Sequence, residues 1–420
     1  MTPDMTGRDS NMRKVEKRKW NTDEIAVFSY SIIMIAVANL LLTKKLFNQS
    51  TDFIVHAQHA DAFLSGIMPS QYPGFYIVYG FFNRIMRLSQ ENAVVYAQTF
   101  FSVTASVVTY GIAGYFISGN TEISNIWKNR IMVIMAFVNP LYSMAYNENR
   151  YYLGQISYNA WHNPTNNSVK AIGLLVVFFF LIGELGKEMN VPGRNIKISF
   201  YNAYLISAIL CMLSLGFKPS FGQVFLPAML MILLFDWISK RKNLLDCVKI
   251  GLLYVPSGGV MLLQFTSTMY GDGGGGIELA PFKVWGYFSS NIPLSVILSA
   301  GFPIFCFLFC QDKKENRTDI RKCANISMLL FCLAMSESIL LAEKGDRCYH
   351  GNFGWGANLA VGFLFLFSTL NFLEYINSKD RESMKSKFIA VIGLMLLSGH
   401  FIWGVWYFFK LLTVESMVCW

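Results

Sequence analysis

Charge is what this chain has least of. Asp, Glu, Lys and Arg make up only 15 % of its 420 residues, against about a quarter in an average soluble domain. That scarcity, together with 36 Phe and 20 Tyr, excludes an ordinary soluble globule, a disordered chain and a collagen. No internal repeat is evident, and no phosphate-binding signature. The glycine run GDGGGG (271–276) lacks the Gly-Lys-Ser/Thr ending of a nucleotide loop and reads as a flexible lid. Cysteine is sparse. Most of the eight lie in apolar runs or basic loops; Cys348 and Cys419 fall on the other side, where a disulfide and two free thiols are equally open readings.

Apolar sequence is what the chain has in abundance: 54 % of residues are hydrophobic and the mean hydropathy is +0.39. At roughly 20 apolar residues per crossing, we expect an all-α polytopic transmembrane bundle of about eleven spans. They lie at 24–43, 92–118, 131–147, 169–186, 198–216, 221–238, 249–270, 293–310, 323–342, 355–374 and 388–409. The first apolar run continues through Leu42, past Ala36-Val37-Ala38, which favours an uncleaved first helix over a signal peptide. Alternate loops are unequal in charge: about 24 of the 35 basic residues fall on the side of the basic N-terminal arm 1–23. Cytoplasmic loops carry that excess. The expectation is therefore a multi-pass plasma (inner) membrane protein, N-terminus cytoplasmic and C-terminus outside. The net charge of +9 is a topological signal and not a nucleic-acid footprint. Glu184 and Asp236 sit beside Lys and Arg at cytoplasmic span ends and read as ordinary flanks, and mid-depth charge is nearly absent. One domain is expected over 24–420, with outer loops 44–91, 148–168, 271–292 and 343–354.

The first outer loop contains two apolar pieces that do not cross. DFIVHAQHADAFLSG (52–66) carries four ionisable groups and reads as a helix that Ser50 or Thr51 can cap and Gly66 can end. YPGFYIVYGFFNRIMRL (72–88) is short for a span and is interrupted by Asn83 and Arg84. Both are expected as juxtamembrane helices on the outer leaflet.

In the first of them Asp52, His56 and His59 are spaced i, i+4, i+7 and share a face, with Asp61 almost opposite. A carboxylate backed by imidazoles suits a general base. The same trio can hold a divalent metal, while a wetted interfacial helix whose His residues meet headgroups is the plainer reading. The loop NENRYYLGQISYNAWHNPTNNS (147–168) offers Glu148, Arg150, Gln155, His162 and several amides, Asn163 among them. Aromatic platforms with amides suit sugars, Arg150 suits a phosphate, and an aromatic membrane belt accounts for the Trp and Tyr as well. Lys218 in GFKPSF (216–221) stands at the membrane edge, either meeting a lipid phosphate or snorkelling. SESILLAEKGDRCYHGNFGWG (336–356) gathers Glu337, Glu343, Lys344, Asp346, Arg347 and His350. Glu337 is costly there unless it faces a cavity or a partner, and Arg347 is a further phosphate candidate.

This layout resembles the GT-C superfamily of polytopic membrane glycosyltransferases. The segment STDFIVHAQHADAFLSGIMPSQYPGFYIVYGFFNRIM is similar to that family's first outer loop: an acid soon after the first span, a helix, Gly-x-x-Pro, then an aromatic amphipathic helix opening at Tyr72-Pro73. The resemblance implies a polyprenyl-phosphate-linked sugar donor, a glycan or lipid-linked acceptor, and transfer on the outer face. Asp52 becomes the base, and Lys218, Arg150 and Arg347 the candidates for the donor phosphate. No cofactor is required, since Lys and Arg can serve the phosphate, although a divalent metal is compatible. The chain departs from the pattern in two ways. The paired Asp-Glu of the mannosyltransferases is absent, Asp52 being followed by Phe53, which makes Asp61 a rival base. There is also no large soluble outer domain. An O-antigen or capsule-type polymerase or ligase is a second reading, weakened because loop 271–292 holds only Lys283. A flippase for lipid-linked sugars is a third.

Overall fold

The structure is a computed structural model that describes residues 22–49, 52–120, 123–141, 155–190, 197–269, 276–310, 318–378 and 383–413. It is an all-α polytopic bundle. In chain order the helices are α1 (Thr22–Phe47), α2 (Asp52–Leu64), α3 (Gly74–Gly80, running on as a π-turn through Ile85), α4 (Gln90–Ser118), α5 (Trp127–Phe137), α6 (Pro164–Leu185), α7 (Phe200–Leu215) and α8 (Pro219–Ile238). They continue with α9 (Leu244–Leu253), α10 (Val255–Met269), α11 (Lys283–Phe288), α12 (Ile292–Phe309), α13 (Asp319–Leu340), α14 (Gly354–Asn377) and α15 (Met384–Thr413). Two small antiparallel ribbons, β1 (Met189–Asn190) with β2 (Lys197–Ile198) and β3 (Ile277–Leu279) with β4 (Leu341–Glu343), and a 3₁₀ turn over Gly345–His350 complete the described elements.

Eight helices among the described residues are long and apolar enough to cross a membrane, and nine if the pair α9–α10, bent by 48°, is one span. Pro256 follows the bend at Tyr254 and removes the N–H that would continue the ladder. Leucine, isoleucine and methionine side chains stand exposed along the outer helices, among them Ile33, Leu234, Leu263 and Met395. In water such a band would be an aggregation surface; in lipid it is the solvating face. α14 is central, with nearly every residue from Gly356 to Leu373 buried.

The third expected span, 131–147, is not a continuous helix as far as the described residues reach. α5 stops at Phe137 and the chain runs on extended, Val138 having ψ 130°. Pro140 lies just beyond, where it disfavours the helical conformation at Asn139 and cannot continue the ladder. The expected outer loop 148–168 differs too. Every described residue from 155 to 168 is buried, and α6 begins at Pro164, with Asn163 as its cap. Buried non-helical backbone needs protein partners, and here Ile156 N–H donates to Ser299 Oγ at 2.8 Å and Ser157 N–H to Asn358 Oδ1 at 3.0 Å. Pro303 in α12 is accompanied by a kink at Ala300, leaving the Leu298 carbonyl and the Phe302 N–H to find other partners. Leu141 N–H donates to the former at 2.8 Å, and Phe302 N–H donates to His400 Nε2 at 3.3 Å. His400 Nδ1 lies 2.8 Å from the Asn139 carbonyl, so the ring carries its proton on Nδ1. Replacing His400 by Leu strands a buried N–H and a buried carbonyl together, a cost of about 2–5 kcal/mol. Thermal unfolding of the purified protein in nanodiscs should show it as a clear drop in midpoint.

At the end of the bundle opposite to α2, Glu184 and Asp236 are more than flanks. Lys242 Nζ donates to Glu184 Oε1 at 2.6 Å and to Asp236 Oδ2 at 2.7 Å, and Tyr204 OH donates to Glu184 Oε1 at 2.7 Å. Only 1 % of the Glu184 side chain is exposed. Flanking charges become a buried clamp because α6, α7 and α8 converge there.

Candidate active site

α2 has two faces. Phe53, Ala57 and Ala60 are fully buried against α1, α3 and α4. Each buried phenylalanine of this kind is worth on the order of 3–5 kcal/mol against truncation. Asp52, His56 and His59 lie on the other face and line a cavity of about 840 Å³. Gly66, at φ +71°, ends the helix where the sequence places its stop. α3 then docks through Gly74, whose N–H donates to the Gly216 carbonyl at 2.7 Å. A Cβ at Gly74 would stand 2.5 Å from the Phe217 ring, so only glycine allows this approach. The contact ties the juxtamembrane helices to the turn that presents Lys218.

Asn163 joins the acid to the cation. Its Oδ1 accepts from the Asn166 N–H at 2.9 Å, capping α6. The same oxygen accepts from Thr165 Oγ1 at 2.9 Å and from Lys218 Nζ at 3.2 Å. Those three donors fix the orientation of the amide, so Nδ2 is turned outward and donates to Asp52 Oδ2 at 2.6 Å. Lys218 also donates to Thr165 Oγ1 at 2.9 Å and stands 4.6 Å over the Trp355 ring. Asp52 is the first residue of α2, where the helix dipole favours a negative charge.

Burial sets the titration of the neighbours. It pushes Lys218 down to about 7, with Asp52 opposing. His56 is pushed down to about 4 by burial and then by Lys218, against Asp52. His162 is lowered to about 4 by burial. At neutral pH both imidazoles are neutral, and Lys218 is poised to gain or lose its proton. His56 Nδ1 is 3.2 Å from the Tyr76 hydroxyl, and His162 packs on Trp355 with ring centroids 5.6 Å apart.

The cavity thus gathers Asp52, His56, His59, His162, Asn163, Lys218, Arg347 and His350. Arg347 is not an isolated cation: its Nη2 lies 3.4 Å from Glu343 Oε1, and Asn352 donates to the other oxygen of Glu343 at 2.6 Å. Glu337 is outside the cavity lining, where its neighbour Ser338 takes part instead. Asp61 is outside it as well. Tyr79 OH and Gln90 Nε2 each donate to one of its oxygens at 2.9 Å, which ties α2 to α3 and α4. Glu148, Arg150, Cys419, the arm 1–21 and residues 271–275 of the expected lid lie outside the described residues. Among the described residues, no three His, Cys, Asp or Glu side chains converge as a metal site. Asp52, His56 and His59 share a face without converging, and the two imidazole centroids are 6.3 Å apart.

Sequence reading missed Thr165, Trp285 and Trp355. Only Trp355 left a signal, as an aromatic at the opening of a span, and that position reads equally as membrane belt. No protein-family model matches this chain, and no curated protein matches it.

Proposed function

We propose that this protein is a membrane glycosyltransferase. It moves a sugar from a polyprenyl-phosphate-linked donor to a glycan or lipid-linked acceptor. The α2 end of the bundle then faces outside the inner membrane, as the distribution of basic loops suggests. One observation carries the reading: a carboxylate and a lysine, Asp52 and Lys218, share a cavity and are held apart by one amide, Asn163. The cavity volume falls within the range of about 300–1,000 Å³ typical of small-molecule sites. Its lining of Trp285, Tyr349, Asn352, Trp355 and Asn358 offers ring faces and amides suited to a sugar.

In this reading Asp52 accepts the proton of the acceptor hydroxyl as its oxygen attacks the anomeric carbon. The bond from that carbon to the phosphate oxygen breaks, and the electron pair leaves with the polyprenyl phosphate. Lys218, with Arg347 lining the same cavity, meets the charge that develops on the phosphate. The anomeric configuration inverts in one displacement.

Lys218 gives the reading a pH signature. Its charged form is lost as pH rises through about 7, so kcat/KM for an anionic donor should fall above that pH. A bound phosphate favours the ammonium, so the corresponding limb in kcat should move to higher pH. Lys218→Met should abolish the limb; a limb that persists in the variant assigns it to another group.

The test is sugar transfer in sealed vesicles with a panel of radiolabelled polyprenyl-phosphate sugars. Label appearing in the acceptor supports the enzyme. Donor crossing the vesicle membrane without transfer replaces it with a flippase.

A further inference from the structure

Asn163, the cap of α6, and Asn166, Asn167 and Lys170 within it stand at i, i+3, i+4 and i+7, one face running inward from the cavity. The first serves the site described above. Lys170 lies two turns deeper, roughly 10 Å along the helix, and is 5 % exposed. It is a charged side chain inside a helix long and apolar enough to span a membrane. Its Nζ donates to Asn159 Oδ1 at 3.1 Å and stands 4.4 Å over the face of Tyr158. Among the described residues no carboxylate lies within ion-pair reach of it. An ammonium has three donors; one described hydrogen bond leaves two of them, and the Tyr158 face meets the charge only in part.

Lys170 lines a second cavity, separate from the first, of about 30 Å³. Asn39, Ser102, Thr109, Asn159, Trp161 and Asn167 line it with polar groups, between α1, α4, α5 and α6. By this measure one water needs about 10–15 Å³, so the space admits a halide or two waters but no phosphate or sugar. Ile35, Ala105, Met132 and Met135 form its apolar wall. An isolated cation in such surroundings is costly until an opposite charge joins it. We propose that this cavity is a binding site for a single halide-sized monovalent anion, chloride in ordinary salt, held by Lys170. The anion neutralises the lysine and locks α6 against α1, α4 and α5.

The experiment compares thermal unfolding of the full chain in nanodiscs, in sodium chloride or bromide and in sodium gluconate at equal ionic strength. Wild type should show a saturating upward shift of roughly 2–5 °C in either halide. Lys170→Met removes the charge and the need for the anion together, so it should unfold at one temperature in all three salts. Bromide-soaked wild-type crystals should give an anomalous peak beside Lys170 Nζ, and this result decides the question should the variant fail to accumulate. Equal midpoints for wild type in halide and gluconate, a halide shift that survives in Lys170→Met, or a cavity holding water alone each overturn the proposal.

Discussion

Replacing Asp52 by Asn should lower sugar transfer by a factor of roughly 10²–10⁴, the usual contribution of a positioned general base. The substitution keeps the size of the side chain and removes its basicity. Its surroundings are built for a carboxylate: Asn163 can present only Nδ2, because its Oδ1 is committed to three donors. An asparagine at 52 still accepts that bond through its own oxygen, so the fold should survive while kcat falls. Asp61→Asn is the matched control. Its oxygens accept from Tyr79 and Gln90, so the change should weaken the docking of α2 and leave kcat within a few-fold. Initial rates on equally expressed proteins distinguish the two. Loss of kcat at Asp61 with retention at Asp52 would exchange their roles.

Gly404→Ala should cost more than about 4 kcal/mol, in the range reserved for severe backbone conflicts. A Cβ at Gly404 would stand 1.6 Å from the Phe137 carbonyl oxygen and 3.2 Å from the Asn139 nitrogen. Both obstacles are backbone, so no rotamer relieves them. α15 would have to move away from the end of α5. That shift would also break the bond from Asn139 N–H to the His400 carbonyl and the contacts that repair the α12 kink. Gly399→Ala, five residues earlier, meets only the Leu141 side chain at 3.1 Å and should be mild. Size-exclusion profiles of the two detergent-solubilised variants should show a monodisperse peak for Gly399→Ala and aggregated or absent protein for Gly404→Ala.

The features legible in the sequence are those set by local physics. Long apolar runs marked most spans, and the Asp52–Gly66 segment declared a surface helix because its ionisable groups could not enter lipid. The spacing of Asp52, His56 and His59 placed them on the face that lines the cavity. Features set by long-range packing were hidden. Hydropathy continued across Pro140, so the end of α5 was overlooked. The 155–163 segment looked like an exposed aromatic loop because its polar side chains gave no hint that Ser299 and Asn358 would meet its backbone. Glu343 pairs with Arg347 while leaving it partly exposed, and Lys242 bridges Glu184 and Asp236, through contacts no local pattern encodes. Asn163 read as one amide among many; its place between Asp52 and Lys218 depends on three segments meeting.

The most direct measurement follows both products of one turnover. Purified protein in nanodiscs is mixed with the labelled polyprenyl-phosphate sugar panel and a lipid-linked acceptor. Release of polyprenyl phosphate and label in the acceptor are counted together. For one member of the panel, wild type and Asp61→Asn should yield both products in equal amounts, and Asp52→Asn should yield neither beyond background. Undiminished paired release by Asp52→Asn, or no release by wild type from any donor, would contradict the account.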